Sequence, residues 1–104
     1  MGGILGLARR AGRLVVGDQG CRKALAQGRA RLIILATDGS ERTQKTFREL
    51  GKKAGVSTCR VASKAELGRW LGRDQVAVAA ITDDQLVRKL KSIVSGAGDE
   101  NTRG

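Results

Sequence analysis

Five consecutive apolar residues, Leu32-Ile33-Ile34-Leu35-Ala36, constrain this chain more than any other feature. The run is too short for a buried helix, and a strand with one wet face would alternate apolar and polar residues. A strand of this kind is covered on both faces, so other elements must pack on either side of its sheet. A second run, Val76-Ala77-Val78-Ala79-Ala80-Ile81, makes the same demand.

The segments between these runs read as helices and shorter strands. Ile4, Leu7, Ala8 and Ala11 recur at i, i+3, i+4 and i+7, which predicts a first helix carrying Arg9, Arg10 and Arg13 and ending at Gly12. Leu14-Val15-Val16 is a brief strand stopping at Gly17. Asp18 is placed to cap a second helix over 18–27, with Cys21, Ala24 and Leu25 inward and Gly28 as its stop. Asp38 followed by Glu41 resembles a capping box for a third helix over 41–54, with Phe47, Leu50 and Ala54 inward. Glu41 with Lys45, and Glu49 with Lys53, are favourable i,i+4 pairs on its surface. Residues 56–61 read as a strand with Cys59 and Val61 on one face. Ser63 and Glu66 form a capping box for a fourth helix whose apolar side is Leu67, Trp70 and Leu71, ending at Gly72. Thr82 and Gln85 are expected to cap a last helix with the stripe Leu86, Val87, Leu90, Ile93 and Val94.

This alternation predicts an α/β fold, a three-layer α/β/α sandwich around a small mixed, mostly parallel central sheet. The 104 residues suit one domain over 1–95, with residues 96–104 a disordered tail lacking apolar periodicity. The start of the chain does not read as a signal peptide, and no stretch approaches membrane-spanning length. Cys21 and Cys59 lie outside a CxxC spacing. They leave open one disulfide or two free thiols, and free thiols in a cytoplasmic protein are the favoured reading.

Charge then narrows the partner. Lys and Arg number 20 against 10 Asp and Glu, a formal net charge of +10, which implies a polyanion: RNA, DNA or an anionic membrane. The only aromatic residues are Phe47 and Trp70, both on apolar helix faces, so no platform is left for stacking single-stranded bases. That favours a folded RNA read by charge, backbone groups and shape.

Catalytic and cofactor signatures are missing. There is no histidine, no GxxxxGK[ST] and no GxGxxG after a strand, and Gly51-Lys52-Lys53 does not make a phosphate loop. Asp83 and Asp84 read as helix-start residues favouring the dipole. No cofactor, metal or small-molecule substrate is expected, and the chain reads as a monomer.

The segment Gly17-Asp18-Gln19-Gly20-Cys21-Arg22-Lys23 carries the most chemistry. It joins a strand to a helix N-terminus, where unpaired N–H groups and the dipole attract acceptors. Gln19, Gly20 and Lys23 share a helix face away from Cys21, Ala24 and Leu25. Gly20 permits close approach, Lys23 suits a phosphate or a guanine edge, and Gln19 can donate or accept at a base edge. The alternative for the same residues is an ordinary capped helix with a solvated face.

Residues 17–28, 30–38, 61–68 and 72–80 together resemble one family, the kink-turn-binding ribosomal proteins of the L-seven-Ae and L-thirty-e type, and most closely its short bacterial YlxQ-type members. The likeness covers roughly residues 4–94, and the Ser63-Lys64-Ala65-Glu66-Leu67-Gly68 run is among its most specific parts. It implies an α/β/α fold and a G-x-N-E-x-x-K motif that meets the sheared G·A pairs of a kink-turn. Gly17 and Lys23 match that motif, Gln19 stands for its Asn, and Gly20 stands for its Glu. The likeness also implies that residues 72–77 pack over a looped-out nucleotide, with Arg73 and Gln75 on backbone and Val76 against the base or sugar. Asp18 and Arg22 would complete the surface, with Arg22 on backbone. The second reading is a translation-associated protein–protein adaptor with only non-specific RNA affinity.

Overall fold

The computed structural model describes the backbone of residues 2–98 and the side chains of residues 2–92. Nine elements follow in order: α1 (Gly2–Arg10), β1 (Leu14–Val16), α2 (Asp18–Ala26), β2 (Leu32–Leu35), α3 (Glu41–Ala54), β3 (Ser57–Arg60), α4 (Lys64–Leu71), β4 (Val78–Ile81) and α5 (Asp84–Gly98). The helix α5 thus continues through residues 96–98. Residues 99–104 of the expected tail lie outside the described residues.

The three layers form as the two apolar runs require. Ile33 and Leu35 of β2, with Val78 and Ala80 of β4, face α2 and α3 and pack on Cys21, Ala24 and Phe47. Leu32, Ile34, Ala79 and Ile81 face the other way onto Leu5 of α1, Leu67 and Leu71 of α4 and Leu90 of α5. Both central strands are buried along their whole length, so period-2 alternation is absent where both faces are dry.

The sheet is mixed, in the order β1-β4-β2-β3, but it is not mostly parallel. Only β2 and β3 pair in parallel, while β4 runs antiparallel to both β1 and β2. Strands β1, β2 and β3 do share one direction, and β4 inserts between the first two. The cause is the short α4. Its eight residues are followed by a loop that doubles back along the helix, with Val76 N–H donating to Lys64 O at 3.0 Å. The chain therefore enters β4 from the end at which it left β3.

Several local expectations shift by a residue or a partner. Leu5, not Leu7, joins Ala8 as the buried side of α1, and Leu7 is 58% exposed. Ser40 caps α3 by accepting from Thr43 N–H, whereas Asp38 accepts from Lys64 N–H at 2.8 Å and so ties down the start of α4. Asp83, not Thr82, caps α5 through Gln85 N–H, and Asp84 lies in its first turn. The box at Ser63 and Glu66 forms as read. Phe47 is fully buried, while Trp70 is only partly buried, its ring against Gly2. Neither Glu41–Lys45 nor Glu49–Lys53 closes to an ion pair among the described residues.

Cys21 and Cys59 are free thiols packed on opposite faces of the sheet. Burial, reinforced by the Asp18 carboxylate, pushes the Cys21 thiol up to about 12. Burial likewise raises Cys59 to about 11, with Lys91 opposing the shift. A thiol whose folded pKa is raised is neutral in the fold and ionises first in the unfolded chain, near 9.0. Its contribution to stability is complete below that value and is lost as pH rises through the folded pKa. Urea melts are therefore expected to show stability falling between about pH 9 and 12, with a shallower fall in Cys21→Ala.

Candidate functional site

The turn from β1 into α2 is built on Gly17. Its backbone sits at φ 94° and ψ 166°, a region open essentially to glycine alone. From there its N–H donates to Val78 O at 2.9 Å and its carbonyl accepts from Cys21 N–H at 3.0 Å. The first bond fixes the start of α2 beside the start of β4. The second begins the helix.

This helix start differs from the three that follow. Ser40, Ser63 and Asp83 cap α3, α4 and α5 with side chains, but α2 has no side-chain cap. Asp18, expected as the cap, is instead the first helical residue and forms an i,i+4 ion pair with Arg22. The N–H groups of Asp18, Gln19 and Gly20 find no acceptor among the described residues. These amides, at the positive end of the helix dipole, point to where an external acceptor would bind.

Side chains around this point sort clearly. Cys21 and Ala24 are buried, and Gln19 and Lys23 are exposed on the outer face. A Cβ built on Gly20 would meet only Val15 Cβ, at an ordinary 3.6 Å, so packing does not demand glycine there. Arg22 is turned elsewhere. It pairs with Asp18 and lies 5.5 Å from the centre of the Phe47 ring, lining a groove between α2 and α3 with Leu25 and Leu50. It holds the scaffold rather than extending the exposed face of Gln19 and Lys23.

The α4–β4 loop comes to the same end of the sheet. Gly72 turns the chain at φ 75°, and the loop then lies against Gly68. A Cβ on Gly68 would fall 2.6 Å from Asp74 O and 2.7 Å from Arg73 O, closer than atoms can pack. Arg73 and Gln75 are exposed. Val76 is not: at 3% exposure its side chain belongs to the core beside α4, so the expected apolar contact from Val76 is withdrawn. Its backbone N–H donates to Lys64 O at 3.0 Å, which holds this end of the loop against α4, and its side chain joins Leu67 and Leu71 in the core.

Two further neighbours have no signal in local spacing. The segment after β2 joins this end through Thr37 N–H to Ala62 O at 2.8 Å and Ala36 N–H to Ala77 O at 3.0 Å. Arg9 of α1 flanks the loop, its Nη1 lying 3.7 Å from a Cβ built on Gly72. Both depend on long-range packing. The Gly17–Val78 bond thus brings the start of α2, with Gln19, Gly20 and Lys23, to the start of β4, the strand that the loop of Arg73 and Gln75 leads into. Arg22 and Val76 lie outside this set. No ion pair among the described residues holds Lys23 or Arg73. No group of three or more potential metal ligands occurs among the described residues. None of their helices is long and apolar enough to cross a membrane.

A three-layer α/β domain with a net charge of +10 and a glycine-led, uncapped helix start near a short polar loop offers a surface suited to an anionic or acceptor-rich partner. The chain belongs to the Ribosomal protein L7Ae/L30e/S12e/Gadd45 family, whose model matches residues 2–91. It is 35% identical to the RNA-binding protein YlxQ of Bacillus subtilis (strain 168) over 88% of this chain and 91% of that protein. It is 28% identical to the RNA-binding protein YlxQ of Enterococcus faecium over 89% of each. A Bacillus halodurans structure described as being of unknown function superposes with a TM-score of 0.83 at 29% identity, over 88% of this chain and 93% of that one. The Giardia lamblia 15.5kD RNA binding protein has a TM-score of 0.73 at 23% identity, over 89% of this chain and 80% of that one, and shows a shared fold.

Proposed function

We propose that this protein binds structured RNA at the Gly17–Val78 end of its sheet, selects a kink-turn or similar bent internal loop, and catalyses nothing. The observation that carries the reading is the uncapped start of α2, held by Gly17 against Val78 at the start of β4, three residues beyond Gln75. Family membership, the RNA-binding relatives and the net charge of +10 support it.

In this reading the free amides of α2 and the Gln19 amide address base edges, and Lys23 supplies a charged donor. Arg73 and Gln75 hold the backbone, which positions the RNA without reading sequence. Binding favours the kinked member of the RNA ensemble by the difference in affinity between bent and open forms. A cytoplasmic RNA of ribosomal type fits this role, bound by a monomer.

The test is titration of a kink-turn RNA and a G·A-disrupted control at about 150 mM salt. The kink-turn is expected to bind more tightly, and equal affinities would reject the specific claim. Gly20 allows a sharper form of the test, since only Val15 lies near a new side chain. Gly20→Glu restores the carboxylate of the family motif and is expected to widen the preference about tenfold, the scale of one charge-assisted hydrogen bond. An unchanged ratio would remove G·A recognition from this position.

A further inference from the structure

A second cationic surface lies on α3 and the edge strand β3, away from the site above. Lys45, Arg48 and Lys52 follow one another at i, i+3 and i+7 along α3, and Arg60 faces them from β3. Lys45 and Arg48 line two adjoining grooves, one closed by Arg60 and the other by Ser57 and Thr58 of the strand. All four cations are exposed, and no ion pair among the described residues neutralises any of them. Each groove also holds one carboxylate, Glu41 beside Arg60 and Glu49 beside Lys52, so cations outnumber anions on this face.

The strand adds backbone donors. β3 ends the sheet, with no strand beyond it among the described residues. Val61 N–H donates to Leu35 O, and the alternation of a parallel pair then turns the backbone N–H of Thr58 and Arg60 to the open edge. Cations on an edge strand also discourage edge-to-edge pairing. That purpose explains a lone Arg60. It does not explain a row of three cations on the neighbouring helix.

Placement gives the surface a direction. α3 starts at the end of the sheet that carries the candidate site, since β2 runs to that end and Ser40 caps the helix there. From Lys45 to Lys52 the ridge then descends the β3 side for about 10 Å, at 1.5 Å per residue. Strand β3 is three strand spacings from β1, about 14 Å. A stem leaving the candidate site on the α2–α3 side of the sheet would meet this ridge. The surface carries no exposed large hydrophobic residue; the one among the described residues is Leu7 on α1. Insertion into a lipid layer has nothing to work with here.

We infer that the α3–β3 face, through Lys45, Arg48, Lys52 and Arg60, is a second docking surface for the sugar-phosphate backbone of a duplex stem flanking the RNA's bent loop. It rests on the RNA-binding reading and extends it from recognition to a two-surface grip. Phosphate contacts of this type set affinity and salt dependence without sequence preference.

The experiment compares two RNAs carrying the same bent loop, one with minimal stems and one with a stem longer by roughly a helical turn. The wild-type protein is expected to bind the extended RNA more tightly. The variant Lys45→Gln/Arg48→Gln/Lys52→Gln/Arg60→Gln is expected to bind the minimal RNA as wild type does and to lose the gain. With a salt slope of about 0.9 per phosphate contact, four lost contacts lower the slope by about 3.6. Between about 50 and 150 mM salt, wild type then loses about fifty-fold more affinity than the variant. Glu49→Gln is expected to steepen the slope on the extended RNA alone. A variant that keeps the wild-type gain and slope overturns the second surface. Equivalent capture of the protein by anionic phospholipid vesicles, lost in the variant, overturns it in favour of a membrane. Failure to prefer the minimal kink-turn over its G·A-disrupted control sinks the recognition reading instead, and the stem-length gain is still measurable on both RNAs.

Discussion

Phe47→Ala is expected to destabilise the fold by about 3–5 kcal/mol, the usual range for removing a buried aromatic side chain. Phe47 is fully buried and fills the space between α3, α2 and the sheet, against Cys21, Ala24, Ile33, Leu35, Val78 and Ala80. Alanine and cysteine on α2 are too small to close the gap, so the cavity persists. Arg22 also loses the ring beneath its guanidinium. A domain of this size holds only about 5–15 kcal/mol in total, so a large part of its stability goes. Chemical denaturation of the two proteins measures the difference. A loss below about 1 kcal/mol would mean that the α2–α3 layer is far looser than its burial implies.

Two glycine substitutions in helices are expected to act with opposite signs. Gly68→Ala places a Cβ 2.6–2.7 Å from the backbone oxygens of Asp74 and Arg73. Backbone cannot rotate aside like the tip of a side chain, so the loop must shift. Overpacking of this kind costs about 1–3 kcal/mol, against a gain of about 0.5–1 kcal/mol from replacing a helical glycine. A net loss of about 1–2 kcal/mol corresponds to a melting temperature lower by roughly 5–15 °C. Gly20→Ala meets only Val15 Cβ at 3.6 Å and is expected to raise stability by about 0.5–1 kcal/mol. Binding separates them further. Displacement of Arg73 and Gln75 is expected to weaken RNA affinity about tenfold or more in Gly68→Ala, measured well below its melting temperature. A gain in stability for Gly68→Ala would show that the loop does not bear on Gly68.

These contrasts mark how far the sequence could be read. The Ser63-Lys64-Ala65-Glu66-Leu67-Gly68 run contains a capping box whose two bonds lie within one turn, and it forms as read. The role of Gly68 depends on residues that return after the helix ends, so it has no local signature. Asp38 has the spacing of a cap for α3, yet its carboxylate serves α4, 26 residues on. Asp18 has the chemistry of a cap but sits one residue inside the helix, because Gly17 alone can adopt the turn that precedes it. Val76 stands at the start of an apolar run, and its side chain is buried where the returning loop packs on α4.

The sequence alone determined the element types, the two strands buried on both faces, the basic character and the exposed face of Gln19 and Lys23. Those follow from periodicity, run length and charge, which are properties of neighbours along the chain. The tertiary structure alone decided that β4 inserts antiparallel between β1 and β2. It also decided that the start of β4 meets the start of α2, that Arg22 is turned toward α3, and that a cationic ridge lines the β3 edge. Each depends on where the chain re-enters the sheet, and that is set by how closely helices, loops and strands can pack in three dimensions.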